Sequence, residues 1–486
     1  MPARDAKTAD APEVTPAAGS ESVWKVRLAS FDRRFPRGRL MLLLVGLLLA
    51  LNVTTALRVD RVSKIDEQYW IDHLLNGADF AIDRGGAPIL QETVREKCTR
   101  GFEGFPDLPK CTKGRLNPSK YGYWHGVNIT GNEPFYFFVT GPIARVLRST
   151  PIDLPPNDSL VTWARLLGSV WAIGGLYCLI RAGEILGVRR RLLLLASVFI
   201  IATPALLHAN TIVTPDATAL LAGGAVLLAA LSWERRGSPW WLFGLVAIVA
   251  AAFNDKNGIG ILLVLAYFAV RALAGYLKQA DDDDLRSWPE YARISALLVV
   301  ALYLANRGWD RMYVWIQTDL FPVRGLADIS NNPIARSYGN RDIGFWHLFG
   351  PNTVFMMFPP FQDVAPPIER THPLYVLFSR GAEYVAIGAM LAVALRDRLA
   401  NKIGVLGFAT LGTLLVSPTL TVIRNQVDGG SFDQPVWRYA LAALPALAIV
   451  LACAARTRFA ERSLTVLTVV LYFSAIYVVF RPPTVV

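Results

Sequence analysis

Apolar runs long enough to cross a bilayer recur along this chain from Arg39 to near its C-terminal end, separated by short charged stretches. A hydrocarbon core about 30 Å thick takes roughly 20 apolar residues in a helix. The pattern predicts spans near 40–57, 160–180, 192–208, 216–232, 239–253, 258–274, 292–305, 373–394, 403–417, 438–454 and 463–480. About eleven spans put the two termini on opposite sides. The fold class expected is therefore all-α, a polytopic transmembrane helical bundle. Two long stretches, 58–159 and 306–371, interrupt it. Both are rich in Trp, Tyr, Phe and Pro, as suits extracytoplasmic loops with juxtamembrane helices at the interface.

Composition sharpens the same picture. Of 486 residues, 53% are hydrophobic and only 18% charged, too little charge to cover a soluble protein of this length. Residues 1–39, rich in Ala, Pro, Thr, Ser and Glu and ending in Arg33, Arg34, Arg37 and Arg39, are expected to be a disordered basic cytoplasmic tail. So long a polar leader is unlike a cleaved signal peptide, and an uncleaved first helix fits better. Residues 40–480 form the transmembrane domain, with no repeat of fixed period and no separate soluble domain.

The net charge of +11 does not signal nucleic acid. Lys and Arg collect beside the apolar runs, and no basic face is interleaved with aromatics. With the N-terminus inside, the short inner loops hold Arg181, Arg189–Arg191, Arg235, Arg236, Arg271, Lys278, Arg286, Arg293, Arg396, Arg398, Lys402, Arg456, Arg458 and Arg462. The short outer loops hold only Lys256 and Arg424. The positive-inside rule fixes the orientation accordingly. Pro134–Leu147 is apolar enough to tempt as a span. Counting it would move Arg189–Arg191 outside, so it is expected to be an outer helix lying along the membrane.

Cys178 and Cys453 fall in predicted spans as packing residues. Cys98 and Cys111 share the first outer loop, an oxidising compartment where a disulfide is expected. No paired His or further Cys gives them a metal-site pattern.

On the outer face the ionisable residues come from separate segments. Asp66 and Glu67 follow the first span. His208 and Asp216 flank the turn between the third and fourth spans. Asp255 and Lys256 follow the fifth, and Arg424, Asp428, Asp433 and Arg438 cluster before the tenth. Charges at membrane depth are costly unless paired or hydrated, which makes them functional candidates. Plainer readings stand beside each. Asp216 suits a helix cap after Thr214-Pro215, Lys256 a snorkelling anchor, and Arg438 an ion pair with Asp433 or Asp428. His208 suits a structural helix end, and Asp66-Glu67 a solvated charge run.

Five segments in order, Lys64-Ile65-Asp66-Glu67-Gln68-Tyr69-Trp70, Asn132-Glu133-Pro134-Phe135-Tyr136-Phe137, Thr214-Pro215-Asp216-Ala217, Asn254-Asp255-Lys256-Asn257-Gly258 and Gln434-Pro435-Val436-Trp437-Arg438-Tyr439, carry a resemblance. Together they resemble the C superfamily of membrane glycosyltransferases (GT-C), close in pattern to its aminoarabinose and mannosyl transferases. The resemblance covers roughly residues 40–455. The chain departs from the pattern in placing its His at His73, in a single Pro134 for a Pro-Pro doublet, and in Asp255 before Lys256.

The resemblance implies transfer of a sugar from a polyprenyl-phosphate donor to a glycan, lipid or protein acceptor on the extracytoplasmic face, in the manner of a bacterial inner (plasma) membrane enzyme. Asp66 would be the general base, with Glu67 orienting it or the acceptor and Asp216 in support. Lys256, Arg424 and Arg438 would bind the donor phosphate, and Glu133 and His208 would form an acceptor or loop site. No cofactor is certain. A divalent metal, with Asp66 and Glu67 as its ligands, stays open. The alternatives are a lipid-linked glycan ligase or oligosaccharyltransferase, and a multi-span transporter or flippase. Against a transporter stand the missing repeat and the placing of the charges at one face.

Overall fold

The computed structural model describes residues 36–58, 61–63, 67–82, 87–102, 108–123, 126, 128, 135–154, 158–277, 286–316, 373–397, 401–429 and 437–480. For some helix residues, Arg424 and Arg438 among them, it describes the backbone alone. The described chain is helical, with no strand longer than an isolated bridge between Val62 and Phe102.

The helices run, in order, α1 (Arg37–Arg58), α2 (Glu67–Ala78), α3 (Gln91–Arg100), α4 (Phe135–Arg148), α5 (Leu160–Ile185), α6 (Arg190–Ile201) and α7 (Pro204–Ala209). They continue with α8 (Ala219–Arg236), α9 (Trp240–Phe253), α10 (Gly258–Tyr276), α11 (Trp288–Ile316), α12 (Pro373–Asp397), α13 (Lys402–Gly429), α14 (Leu444–Ala454) and α15 (Arg458–Phe480). Three 3₁₀ turns, Pro215–Thr218, Asp255–Asn257 and Trp437–Ala443, lead directly into α8, α10 and α14.

Five helical segments are long and apolar enough to cross a membrane: Arg37–Arg58, Leu160–Ile185, Pro215–Arg236, Asp255–Tyr276 and Arg458–Phe480. They mark the chain as a membrane protein. Their faces divide accordingly. On α1, Leu40, Leu44 and Leu48 are buried at four-residue spacing, while Leu42 and Leu43 stand exposed. On α15, Val466 and Phe473 are exposed while Leu464 and Leu471 pack inward. A water-soluble surface rarely carries so broad an apolar face.

Three sequence expectations change in detail. The stretch 192–208 is two helices, because Pro204 supplies no N–H to the ladder and holds Thr203 extended (φ −73°, ψ 141°). The stretch 292–305 continues helically to Ile316. The stretch 403–417 continues to Gly429, so Arg424 and Asp428 stand on the last turns of α13 and not in a loop. Backbone hydrogen bonding, unlike hydropathy, does not stop where the apolar run stops.

Close crossings bind the bundle. A Cβ on Gly223 of α8 would sit 1.8 Å from the Ala442 carbonyl oxygen, and one on Gly260 of α10 would sit 3.0 Å from Gly223 Cα. The Trp437–Ala443 turn is thereby seated between α8 and α10. On α5, a Cβ at Gly168 would lie 2.2 Å from the Asn210 carbonyl oxygen, which draws the end of α7 against that helix.

The two ends of the bundle differ in charge. At one end Glu184 accepts from Arg37 (2.9 Å), Arg190 (3.0 Å) and Arg181 (3.3 Å). At the same end Arg191 pairs with Glu461 at 2.8 Å, and Asp397 takes Arg396 and Arg456. Buried Glu234 there accepts from Arg271, Tyr267 and Tyr291. The other end carries α2, α3 and α4. There α2 and α4 cross at two glycines: a Cβ on Gly77 would meet Phe137 at 2.8 Å, and one on Gly141 would meet Ala78 at 2.7 Å. Cys98 at the end of α3 is bridged to Cys111, with Cα atoms 5.6 Å apart. Arg100 donates to Ser159 (2.7 Å) and Thr162 (2.6 Å), tying α3 to the head of α5.

Candidate functional site

Two 3₁₀ turns of the same design head α8 and α10. In the first, the Thr214 hydroxyl accepts from Asp216 N (3.2 Å), and Pro215 occupies the position where a missing N–H costs nothing. In the second, the Asn254 side-chain carbonyl accepts from Lys256 N (3.1 Å). Capping therefore falls to the Thr214 and Asn254 side chains, not to the Asp216 carboxylate.

Asparagines strap the two turns together. Asn254 Nδ2 donates to Asp216 Oδ1 at 2.8 Å. Asn257 Nδ2 donates to Thr218 Oγ1 at 3.1 Å and to the Ala250 carbonyl at 3.0 Å. Asp216, Asn254 and Asn257 are all buried. Lys256 is half-buried at the rim, its Nζ 3.3 Å from Asp255 Oδ1. The Trp437–Ala443 turn, whose backbone carries Arg438, packs against both straps and against α7.

Glu67 opens α2 and is fully buried, as is Arg165 of α5. Arg165 Nε and Nη2 donate to the two Glu67 oxygens at 2.9 and 2.8 Å, a bidentate pair. Glu67 also accepts from Ser63 N (2.7 Å) and Val213 N (2.8 Å), and Arg165 donates to the Arg61 carbonyl (2.8 Å). A carboxylate with four donors is saturated. It has no remaining capacity to accept a substrate proton or to ligate a metal without dismantling the fold around it. Of the two carboxylates that a divalent metal could use, Glu67 is therefore already committed. Among the described residues no group of three or more His, Cys, Asp or Glu is placed to hold one. Glu67 instead ties Ser63 and the start of α2 to Val213, just before the Asp216 turn. Asp66 and Glu133 lie outside the described residues.

His208 on α7 is buried, its Nε2 3.4 Å from Ser63 Oγ. It therefore sits against Ser63, whose backbone N–H donates to Glu67. His73 is buried as well and stacks on Phe137 at 5.2 Å. Arg424 and Arg438 have described backbones only, at the last turns of α13 and the start of the Trp437–Ala443 turn.

Sequence reading passed over several participants. Arg165 carried a signal, a lone arginine in an apolar run, which must find a partner. The cross-strapping by Asn254 and Asn257 follows only from helix packing. Tyr136 of α4 is fully buried and lies in the same apolar cluster as Val213 and Ala217. Burial, with Glu67 and Asp216 nearby, pushes its hydroxyl above the ordinary tyrosine range, so it stays protonated.

Lys97 of α3 was also missed. Its ammonium sits 3.7 Å over the Phe102 ring and 4.7 Å over that of Tyr123, and donates to the Gln68 side-chain carbonyl. Burial lowers it to about 7. Asp72 on the next turn of α2 accepts from Leu90 N (3.0 Å) and Thr93 Oγ1 (2.5 Å). The segment from α3 to Tyr123 is thus fastened onto α2 by buried polar contacts.

No protein-family model matches the chain, and no curated protein matches it.

Proposed function

We propose that this protein is a membrane glycosyltransferase of the GT-C type, with eleven spans, its N-terminus inside and its site on the extracytoplasmic face. It would move a sugar from a polyprenyl-phosphate donor to a hydroxylated acceptor. The observation that carries this reading is the Asn254 strap. It joins the turn bearing Asp216 to the turn bearing Lys256, where the turn bearing Arg438 and the chain next to Asp66 also meet. Residues far apart in sequence, of both charges, gather at the end of the bundle opposite the arginine-rich one.

In the reaction an acceptor oxygen attacks the anomeric carbon as the bond from that carbon to the phosphate oxygen breaks. The electron pair leaves with the lipid phosphate, and the acceptor proton passes to a carboxylate, for which Asp66 is the candidate. Direct displacement inverts the anomeric centre. Charge growing on the phosphate is met by Lys256, Arg424 and Arg438, the arginines suited to bidentate contact. Glu67 acts at one remove, as the anchor that ties Ser63 and the start of α2 to Val213 beside the Asp216 turn.

A panel of radiolabelled polyprenyl-phosphate sugars tests the reading on the purified protein. Asp66→Asn should lower turnover about a hundredfold to ten-thousandfold, the usual share of general base catalysis, with donor affinity kept. Arg438→Ala should weaken donor binding as well as turnover. Near-normal transfer by Asp66→Asn removes Asp66 as the base. No transfer from any donor by the wild type removes the reading itself and leaves lipid transport as the next to assay.

A further inference from the structure

Two hydroxyls beside the Asp216 turn have nothing to bond. Tyr136 and Thr140 stand one turn apart on α4 and share a face. Both residues are fully buried, and neither hydroxyl oxygen makes a hydrogen bond. Thr140 and the Thr214 backbone lie close to the Tyr136 hydroxyl without reaching acceptable hydrogen-bond geometry. The face they occupy looks toward the Thr214–Thr218 turn, since α4 packs on that turn and Tyr136 shares a cluster with Val213 and Ala217. Buried hydroxyls are rarely left without a partner, because each then carries its full desolvation cost. Two on one face, next to a carboxylate-bearing turn, call for a ligand.

The surrounding charges select its chemistry. Glu67 and Asp216 both act electrostatically on Tyr136, which disfavours an anion. The oxygens of Glu67 are already engaged by Arg165, Ser63 and Val213, and Asp255 on the neighbouring turn faces Lys256, so on the turn against α4 a cation would find Asp216 alone. The Tyr136 and Thr140 hydroxyls each donate one proton and accept, and Asp216 accepts. A neutral group that both donates and accepts, a hydroxyl, satisfies all three.

We propose that Tyr136, Thr140 and Asp216 form a subsite for a neutral hydroxylated ligand, the sugar hydroxyls of the acceptor. That identity rests on the transfer reaction proposed above; the subsite itself rests on the unpartnered hydroxyls. Water offers the same chemistry, and the test separates the two.

Tyr136→Phe and Thr140→Val remove the oxygens and keep the shape. The thermal unfolding midpoint of each variant, of the pair together and of the wild type is followed in lauryldimethylamine oxide micelles, which carry no hydroxyl. Octyl β-glucoside is then titrated in. With no ligand, each variant should unfold at the wild-type temperature or above it, because a buried unsatisfied group has been removed. The wild type should gain a saturable upward shift from the glucoside, and its apparent affinity should fall at least tenfold in the variants. Should the double variant fail to fold, Thr140→Val alone carries the comparison. Equal glucoside response in wild type and variants overturns the proposal, as does a wild type with no saturable response. A lower midpoint in both single variants with the response intact assigns the hydroxyls to a buried water and overturns it too. No donor enters this assay, so its failure and a failure to find transfer are separate results.

Discussion

At the scale of single residues, the bundle end opposite the arginines is organised by buried charges that hold backbone in place. The Glu67–Arg165 pair is the clearest, with both side chains wholly out of contact with solvent. Removing one partner of such a pair strands the other charge and costs about 3–5 kcal/mol, whereas replacing both by apolar groups can be nearly neutral. Arg165→Met and Glu67→Leu should each lower the unfolding midpoint strongly. The two together should lose clearly less than the sum of the single losses, although the Ser63 and Val213 N–H groups stay unpaired without the Glu67 carboxylate. Additive losses in that double-mutant comparison would show that the two residues do not act as a pair. Lys97 gives a pH signature. Burial holds it at about 7, against an ordinary 10.5, so between those values the unfolded chain binds more protons than the folded one. Stability should therefore rise with pH across that window, and below about pH 7 the full penalty remains. Tyr123, held well above its ordinary range by burial, does not offset this. Lys97→Met should flatten the rise and raise the midpoint at pH 6, as read from melts at closely spaced pH. An unchanged slope in the variant would locate the titration elsewhere.

At the scale of elements, the sequence announces where helices begin more clearly than what they touch. Thr214-Pro215 and Asn254 are legible as helix starts, and Pro204 as a break, because each acts through backbone groups within a few residues of itself. Arg165 is legible as a charge that needs a partner, but nothing near it in the chain names Glu67, almost a hundred residues earlier. The strap from Asn254 to Asp216 is likewise invisible until α8 and α10 are set side by side. That arrangement depends on small residues. A Cβ on Gly223 would fall 1.8 Å from the Ala442 carbonyl oxygen, a contact with backbone that no rotamer relieves. Gly258, by contrast, has a helical φ of −52° and nothing within 4 Å of a Cβ. Gly223→Ala should cost about 1–3 kcal/mol or more through overpacking. Gly258→Ala should be neutral or stabilising by about 0.4–1 kcal/mol, by restricting the unfolded chain. Fluorescence-detected size exclusion after a heat step compares the two. A Gly223→Ala variant as robust as wild type would remove the crossing as the element that seats the Trp437–Ala443 turn.

At the largest scale, the two ends of the bundle differ in charge and in construction. One end gathers Arg37, Arg181, Arg190, Arg191, Arg396 and Arg456 around Glu184, Glu461 and Asp397. The other carries the disulfide and the straps around Asp216. Hydropathy alone marks runs without saying which side they start from. The charge bias says it, because arginines are retained on the cytoplasmic side during insertion. If that bias holds, Ser149, exposed just beyond α4, and Ser238, between α8 and α9, face opposite compartments. Both are loop or helix-end serines where Cys is nearly isosteric. Cys178 and Cys453 are buried, and replacing them by Ala leaves only the bridged pair Cys98 and Cys111, which does not react with maleimides. In that background, Ser149→Cys should label in intact cells with an impermeant maleimide, and Ser238→Cys only after the membrane is opened. The reverse pattern would put the strapped turns and Lys256 on the cytoplasmic face, where the disulfide would meet a reducing compartment. Equal labelling of both positions in sealed cells would place α4 and the α8–α9 turn on one side. An odd number of crossings between residues 149 and 238 would then be wrong, and the eleven-span count with it.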